Sequence, residues 1–135
     1  MKKPMAASKA RKPGADAALA AWDVLIVPFP YSDKLAEKRR PALAVSAPAL
    51  AAAHGLVWAV MITSAKHAPW PEDVPIPDAS AVGLPAASVV RTAKIACFDA
   101  ARILRVAGRL APAEQAAVTR RLAALLPMLS PAAAR

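Results

Sequence analysis

The chain has 135 residues, a length typical of one domain with its own hydrophobic core. Eighteen Lys and Arg against nine Asp and Glu give a formal net charge of +9, which favours a polyanionic partner such as nucleic acid, an anionic membrane or an acidic protein. The single cysteine, Cys97, excludes an intramolecular disulfide and fits a reducing compartment. It lies in an apolar alternation, which predicts a buried, inert thiol.

A membrane-spanning segment is the first alternative that the sequence disfavours. Residues 41–65 carry no charged side chain and are long enough to span a bilayer. However, Pro48 and His54-Gly55 divide this window into pieces of strand length, and its second half is β-branched and aromatic. The N-terminus also lacks an uninterrupted hydrophobic region. We therefore expect a cytoplasmic protein that does not associate with membranes.

The first half of the chain predicts a tail followed by three strands. Residues 1–18 are basic and alanine-rich, which predicts a flexible tail, and residues 19–135 are expected to form a single domain. Strands are predicted at 22–30, 41–46 and 56–64, with a polar loop at 31–38 and a short alanine-rich turn or helix before the third strand. The second strand is expected to begin at Pro41.

The second half predicts further short strands and a closing helix. Residues 66–85 contain five prolines, which predicts an irregular segment with one short strand at 74–76. A final pair of strands is predicted at 88–98 and 102–110. After Pro112, a helix is predicted whose apolar face carries Val118, Leu122, Leu125 and Leu126. Several short strands with one terminal helix predict a mainly β protein with a small, partly open barrel.

The side chains that remain as candidates for a functional site are cations and hydroxyl groups. The sequence has no glycine-rich phosphate loop and no Cys-His cluster with zinc spacing, so we expect neither cofactor nor metal. The adjacent carboxylates Glu72 and Asp73 are predicted to be a solvated pair. The remaining candidate site residues are Arg39, Arg40, Thr63, Ser64, His67 and Arg91.

Antiparallel pairing of the second and third strands would place Arg40 and Thr63 on one rim of the barrel. A guanidinium can hold two phosphate oxygens, and a 2′-hydroxyl can serve as the nucleophile in RNA cleavage, so the protein would need only to position the phosphate and stabilise charge. His67 is a candidate for proton transfer. The same residues also fit a barrel that binds nucleic acid or protein without catalysis.

Five motifs in order resemble the PemK/MazF-like toxins of bacterial type II toxin–antitoxin systems. They are WDVLIVPFPYSD, KRRPALAVS, VWAVMITSA, GLPAASVVR and FDAARILRVAGRL, within residues 21–126. The resemblance implies an SH3-like barrel of the CcdB/PemK type with a C-terminal helix, usually a homodimer. It also implies a metal-independent, sequence-selective endoribonuclease that cleaves mRNA and is silenced by a cognate antitoxin with an acidic, flexible segment.

The resemblance also implies roles for individual residues. The family's arginine before proline corresponds to Arg40, and the threonine of its I-T-[SA] motif corresponds to Thr63, so these are the expected catalytic pair. Ser64 and Arg91 lie in matching motifs as expected phosphate or RNA contacts, with Arg39 and His67 as further candidates. One departure is Trp22-Asp23, where the family often has Gly-Asp. The alternative function is that of CcdB-like relatives, inhibition of DNA gyrase through protein contacts.

Overall fold

The computed structural model describes residues 19–29 and 38–129. The predicted tail at 1–18 and nearly all of the predicted loop at 31–38 lie outside these ranges. The strands and α-helices are β1 Asp23–Phe29, β2 Lys38–Ala44, α1 Pro48–His54, β3 Leu56–Ser64, β4 Asp73–Ile76, β5 Ser88–Asp99, β6 Arg105–Arg109 and α2 Pro112–Leu125. Short 3₁₀ turns are formed by Ala79–Val82, Ala100–Arg102 and Pro127–Leu129. In this part of the chain, no helix has the length and apolar character needed to cross a membrane.

The six strands form one antiparallel sheet in the order β4-β5-β3-β2-β1-β6. The sheet curls into a half-barrel, which confirms the prediction of a mainly β, partly open barrel with a C-terminal helix. Both of the last two predicted strands are present, but they are not neighbours in the sheet. β5 lies between β3 and β4, whereas β6 pairs with β1 at the opposite edge of the sheet.

Strand β2 begins at Lys38, three residues before the predicted start at Pro41. Its pairing with β1 extends back to Lys38, which lies opposite Phe29. The ladder with β3 begins only at Ala42, directly after Pro41. Proline has no N–H to donate and is therefore tolerated where a strand is bonded on one side only. The three consecutive cations thus belong to the strand and not to the preceding loop.

Alternation along the strands gives the sheet two apolar faces, because successive side chains point to opposite sides. The first face includes Val24, Leu43 and Val60, and it packs against Val118 of α2 and Val82 of the 3₁₀ turn at Ala79–Val82. The second face includes Leu25, Ala42, Ala44, Ala59 and Met61, and Leu19 and Ile103 cover it. Both faces are therefore buried over the centre of the sheet.

Two glycines close the half-barrel between its edge strands. A Cβ on Gly83, which follows the 3₁₀ turn, would lie 2.3 Å from the carbonyl oxygen of Ala107 on β6. A Cβ on Gly108 would lie 2.7 Å from the carbonyl oxygen of Val82. Only glycine permits this approach of the two backbones. The segment after β4 therefore packs directly on β6, although the two strands are not hydrogen-bonded to each other.

One prediction of burial is wrong, and one residue of the predicted apolar helix face is exposed. Cys97 is exposed, because the second half of β5 follows a bulge and extends beyond β4, which pairs with β5 only as far as Arg91. Leu125, predicted on the apolar face of the terminal helix, is 41% exposed. It lies in the last turn of α2, whereas Val118 near the middle of the helix is fully buried.

Trp22 explains one departure from the family pattern. Its φ of 81° lies in the left-handed region, which favours glycine. The conformation is held by hydrogen bonds on both sides, from the Trp22 N–H to the Ala44 carbonyl at 2.8 Å and from the Leu110 N–H to the Trp22 carbonyl at 2.9 Å. A glycine at this position would adopt the same turn without strain, while the indole packs against the first-face core.

Candidate functional site

Arg40 and Thr63 lie two residues beyond the paired part of β2 and β3. The predicted antiparallel pairing is present, with Ala44 opposite Ala59 and Ala42 opposite Met61. Continuing this register by two residues aligns Arg40 with Thr63. Both residues follow the alternation of the second face, and both are half-buried. The Nε atom of Arg40 is shielded from solvent.

Arg39 lies on the first face, away from Arg40. It lines a groove of about 430 Å³ together with Pro41, Ile26 and Arg105. The register supports this placement, because Ile26 lies opposite both Pro41 and Arg105. Arg39 was expected as a further RNA contact near Arg40, but the sheet places the two side chains on opposite faces. The groove is a second basic surface that the sequence did not predict.

Ser64 and His67 form the turn that follows β3. The Oγ of Ser64 accepts a hydrogen bond from the Lys66 N–H at 3.1 Å, and its carbonyl accepts one from the His67 N–H at 3.1 Å. The Ala65 N–H bonds the Ala87 carbonyl at 2.9 Å, which ties the turn to the segment before β5. His67 is exposed at the surface of this turn, directly beyond Thr63.

Arg91 is engaged by a carboxylate of the neighbouring strand. β5 places Arg91 opposite Met61 on one side and opposite Asp73 on the other, so it shares the face of Thr63. Its Nε donates to Asp73 Oδ1 at 3.1 Å, and its Nη2 donates to Asp73 Oδ2 at 2.9 Å. Nη2 also donates to the Ala68 carbonyl at 2.9 Å. The guanidinium is therefore directed towards the loop between β3 and β4.

The ion pair changes the acidity of both partners. Burial works to raise the pKa of Asp73, but the hydrogen bonds from Arg91 and from the Trp70 amide, together with the Arg91 charge, hold that pKa below its ordinary value. The hydrogen bond with Asp73 raises the pKa of Arg91 above its ordinary value, and burial opposes this only in part. Both groups are consequently charged at neutral pH.

The sequence did not identify Trp70 and Asp73 as functional candidates. Asp73 was expected to be solvated, but its side chain is only 7% exposed because Arg91 covers it. Trp70 lies with its ring 4.3 Å from the Arg91 guanidinium carbon. The sequence feature that could have identified them is a tryptophan between two prolines, followed by two carboxylates. The arginine that joins them is 18 residues from Asp73 along the chain, which only the sheet register reveals.

The site thus combines a guanidinium and a hydroxyl on one face of the sheet, with a cationic turn beyond them. An arginine and a threonine can hold the non-bridging oxygens of a phosphodiester and stabilise negative charge as it develops. Among residues 19–29 and 38–129, His, Cys, Asp and Glu side chains form no group of three that could hold a metal ion. The arrangement is therefore suited to binding an anion through cationic and hydroxyl donors.

A family model for the PemK-like, MazF-like toxin of type II toxin–antitoxin systems matches residues 20–126. The chain belongs to this family. The match covers all six strands and α2. No curated protein sequence matches the chain closely enough to count as a relative.

Solved structures of MazF toxins share the fold of this family member. MazF from Deinococcus radiodurans is 25% identical, with 83% of this chain and 99% of that chain covered and a TM-score of 0.67. A MazE–MazF complex from the same organism is 24% identical, covering 84% and 99% at a TM-score of 0.68. A mycobacterial endoribonuclease in complex with its cognate antitoxin is 22% identical, covering 82% and 94% at a TM-score of 0.64.

Proposed function

We propose that this protein is the toxin of a type II toxin–antitoxin system and a metal-independent, sequence-selective endoribonuclease acting on single-stranded RNA, including mRNA. The observation that carries the proposal is the register of β2 with β3, which, continued by two residues beyond Ala42 and Met61, aligns Arg40 with Thr63 on one face of a MazF-like sheet. Family membership supports the reaction class. The solved relatives support it further, since one of them is described as an endoribonuclease bound to its antitoxin.

In the proposed reaction, the 2′-hydroxyl oxygen attacks the adjacent phosphorus and forms a 2′,3′-cyclic phosphate. The bond from phosphorus to the 5′-oxygen breaks, a base takes the proton of the 2′-hydroxyl, and the departing 5′-oxygen gains a proton. Arg40 stabilises the charge on the non-bridging oxygens, because an arginine side chain stays protonated in proteins and is therefore a poor base. Thr63 donates a hydrogen bond to one of those oxygens. His67 is a candidate for proton transfer, since its exposed turn follows Thr63.

The test is incubation of the purified protein with a long single-stranded RNA in the presence of a chelator. We expect discrete cuts by the parent and losses of at least about 100-fold in kcat for Arg40→Ala and Thr63→Val. Arg120→Ala and Thr119→Val are matched controls, because both residues are exposed on α2. Equal cutting by Arg40→Ala and Arg120→Ala would remove Arg40 from the mechanism. RNA binding without any cutting would favour the non-catalytic alternative.

We also propose that a cognate antitoxin neutralises the protein through an acidic segment. The net charge of +9 favours such a partner, and solved relatives include MazE–MazF complexes. Co-expression with the product of a neighbouring acidic reading frame should restore growth and block RNA cleavage in vitro. The complex should weaken as salt is raised, because screening reduces attraction between exposed charges. Inhibition that is insensitive to salt would argue against an acidic contact.

The proposed homodimer is supported by apolar side chains exposed on β3 and β5. Trp58 is 52% exposed and lies opposite the exposed Cys97, and Ile95 is 53% exposed. Adjacent exposed apolar residues often mark an interface, so we assign a second copy of this chain to this surface. Sedimentation at micromolar concentration should give a dimer for the parent and a monomer for Trp58→Asp. If Met128→Asp were a monomer and Trp58→Asp remained a dimer, the interface would instead include the 3₁₀ turn at Pro127–Leu129 that follows α2.

A further inference from the structure

Trp70 is an exposed aromatic side chain in the loop between β3 and β4. It is 43% exposed and stands between Pro69 and Pro71. Each proline has a fixed φ, and each also restricts the residue before it, so the backbone on both sides of Trp70 has few accessible conformations. The loop therefore presents a large aromatic surface to solvent at a small conformational cost.

The indole is held from one side by Arg91. The guanidinium carbon lies 4.3 Å from the ring centroid, within the range of a cation–π contact. Asp73 fixes the same guanidinium through two hydrogen bonds of 3.1 and 2.9 Å. Planar two-point pairing of this kind restricts the orientation of an arginine more strongly than a single bond does. The support behind the ring is thus rigid, and much of the indole remains open to solvent.

The backbone of the loop is fixed by further hydrogen bonds. The Trp70 N–H donates to Asp73 Oδ2 at 2.9 Å, and the Asp73 N–H donates to the Trp70 carbonyl at 3.0 Å. The Oγ1 of Thr92, a buried residue of β5, donates to the Glu72 carbonyl at 2.9 Å. Trp70 is consequently positioned before any ligand binds, which lowers the entropic cost of binding.

Trp70 and the Arg91–Asp73 pair that holds it lie beside the proposed cleavage site. Thr63 is opposite Val89 on β5, and Arg91 follows two residues later on the same face. Such diagonal neighbours are about 7–8 Å apart in a sheet. Exposed Lys66 and His67 stand in the same loop. Aromatic side chains next to cations are typical of surfaces that bind single-stranded nucleic acid by stacking bases and attracting phosphates.

We propose that Trp70 is a base-stacking subsite for a nucleotide of the RNA next to the phosphate at Arg40 and Thr63. Arg91 and Asp73 are positioning residues that hold the indole and do not contact the reacting atoms. The location of the subsite rests on the proposed function, whereas the stacking itself can be measured without cleavage. Because every base has a π-face, the subsite strengthens binding for many sequences.

Binding is tested with a 2′-O-methyl RNA 12-mer of random sequence, which lacks the nucleophile and stays intact. We expect this RNA to quench indole fluorescence in the parent. Trp70→Ala should remove the quenching and weaken binding about 10-fold, and Trp70→Phe should restore most of the affinity. Trp58→Phe is the control for loss of a tryptophan elsewhere, since Trp58 lies on the proposed dimer surface and phenylalanine keeps that surface apolar. The drop in emission that the RNA causes in this variant should equal the drop in the parent.

If Arg91 and Asp73 only position Trp70, a substitution at Asp73 should change KM and leave kcat nearly unchanged. Asp73→Asn keeps the shape of the side chain but removes the charge that orients Arg91, so KM for a cleaved RNA should rise several-fold while kcat stays near that of the parent. The same variant should show weaker quenching by the 2′-O-methyl RNA. A fall in kcat with KM unchanged would overturn the positioning role.

The outcomes for the two proposals can be separated. If the parent cuts no RNA but shows Trp70-dependent quenching, the stacking subsite stands and the proposed cleavage fails. If the parent cuts RNA and Trp70→Ala binds and cuts like the parent, the subsite is overturned and the cleavage stands. If Trp70→Ala loses only antitoxin binding, the surface recognises protein and the inference is wrong.

Discussion

Arg39 and Arg40 are consecutive in the chain, yet they lie on opposite faces of the sheet. Arg39 lines a groove with Ile26 and Arg105 on the first face, whereas Arg40 follows the alternation of the second face and aligns with Thr63. The alternation of a β-strand causes this separation, because β2 begins at Lys38. Two identical neighbouring side chains are thereby assigned to different surfaces.

The two arginines should respond differently to the same substitution. Arg40→Ala is expected to lower kcat for RNA cleavage by at least about 100-fold, since it removes charge stabilisation at the phosphate. Arg39→Ala removes the same charge from the other face, so it should weaken binding of RNA or antitoxin in a salt-dependent manner and leave kcat within a few-fold of the parent. Steady-state kinetics at two salt concentrations would distinguish these effects. Similar losses of kcat in both variants would contradict the separation.

Closure of the half-barrel depends on the absence of a side chain at Gly83. Gly83→Ala would place a Cβ 2.3 Å from the Ala107 carbonyl oxygen and would also strain a backbone with φ of 82°. We expect a loss of about 2–4 kcal/mol in the free energy of unfolding, measured by urea denaturation. Gly55→Ala is the control, because Gly55 has φ of 68° but no atom within 4 Å of its Cβ position. Its cost should be about 1 kcal/mol, from backbone strain alone.

The Asp73–Arg91 pair should stabilise the protein at neutral pH and lose this effect in acid. The pKa of Asp73 is lowered by folding, so its contribution is present above the unfolded value of about 3.9 and disappears as pH falls through the lower folded value. The pKa of Arg91 is raised, so its contribution is lost only in strong alkali. Asp73→Asn should therefore be less stable than the parent at pH 7, by about 2 kcal/mol, and the difference should shrink below pH of about 4.

That pH dependence can be measured by denaturation at several pH values. Asp78→Asn is a suitable control, because Asp78 is an exposed carboxylate that accepts hydrogen bonds from its neighbours Ser80 and Ala81. Its stability difference from the parent should be smaller throughout. A stability gap for Asp73→Asn that stays constant from pH 7 to pH 3 would show that the charge of the ion pair is not its cause.

Helix α2 should contribute to stability through its middle rather than its end. Val118 is fully buried in the first-face core, so Val118→Ala is expected to cost about 2 kcal/mol in the free energy of unfolding. Leu125→Ala removes a larger side chain, but one that is 41% exposed, and should cost less than about 1 kcal/mol. Both values can be obtained by urea denaturation. The reverse order would mean that Leu125 is buried in solution, as an interface through the end of α2 would require.

Most of the architecture was predictable because local patterns were strong. Alternating β-branched and apolar residues predicted five of the six strands within a few residues, and Pro112 with the spacing of Val118 and Leu122 predicted α2. The five prolines of residues 66–85 predicted an irregular segment, and the short strand expected within it at 74–76 is present as β4. The start of β2 was missed because Lys38 to Arg40 are all charged and lack the apolar alternation of a strand. Strand propensity alone does not anticipate the pairing with β1 that extends β2 to these residues.

The tertiary structure decided which of the candidate residues share a surface. The sequence by itself determined a basic chain, a barrel of short strands with a terminal helix, and the placement of Arg40 and Thr63 at the ends of neighbouring strands. The sheet register decided that Arg39 faces away from them and that Arg91 meets Asp73 and Trp70. These are contacts between distant parts of the chain, and their geometry depends on strand order and on one bulge in β5. Neither feature leaves a local pattern in the sequence.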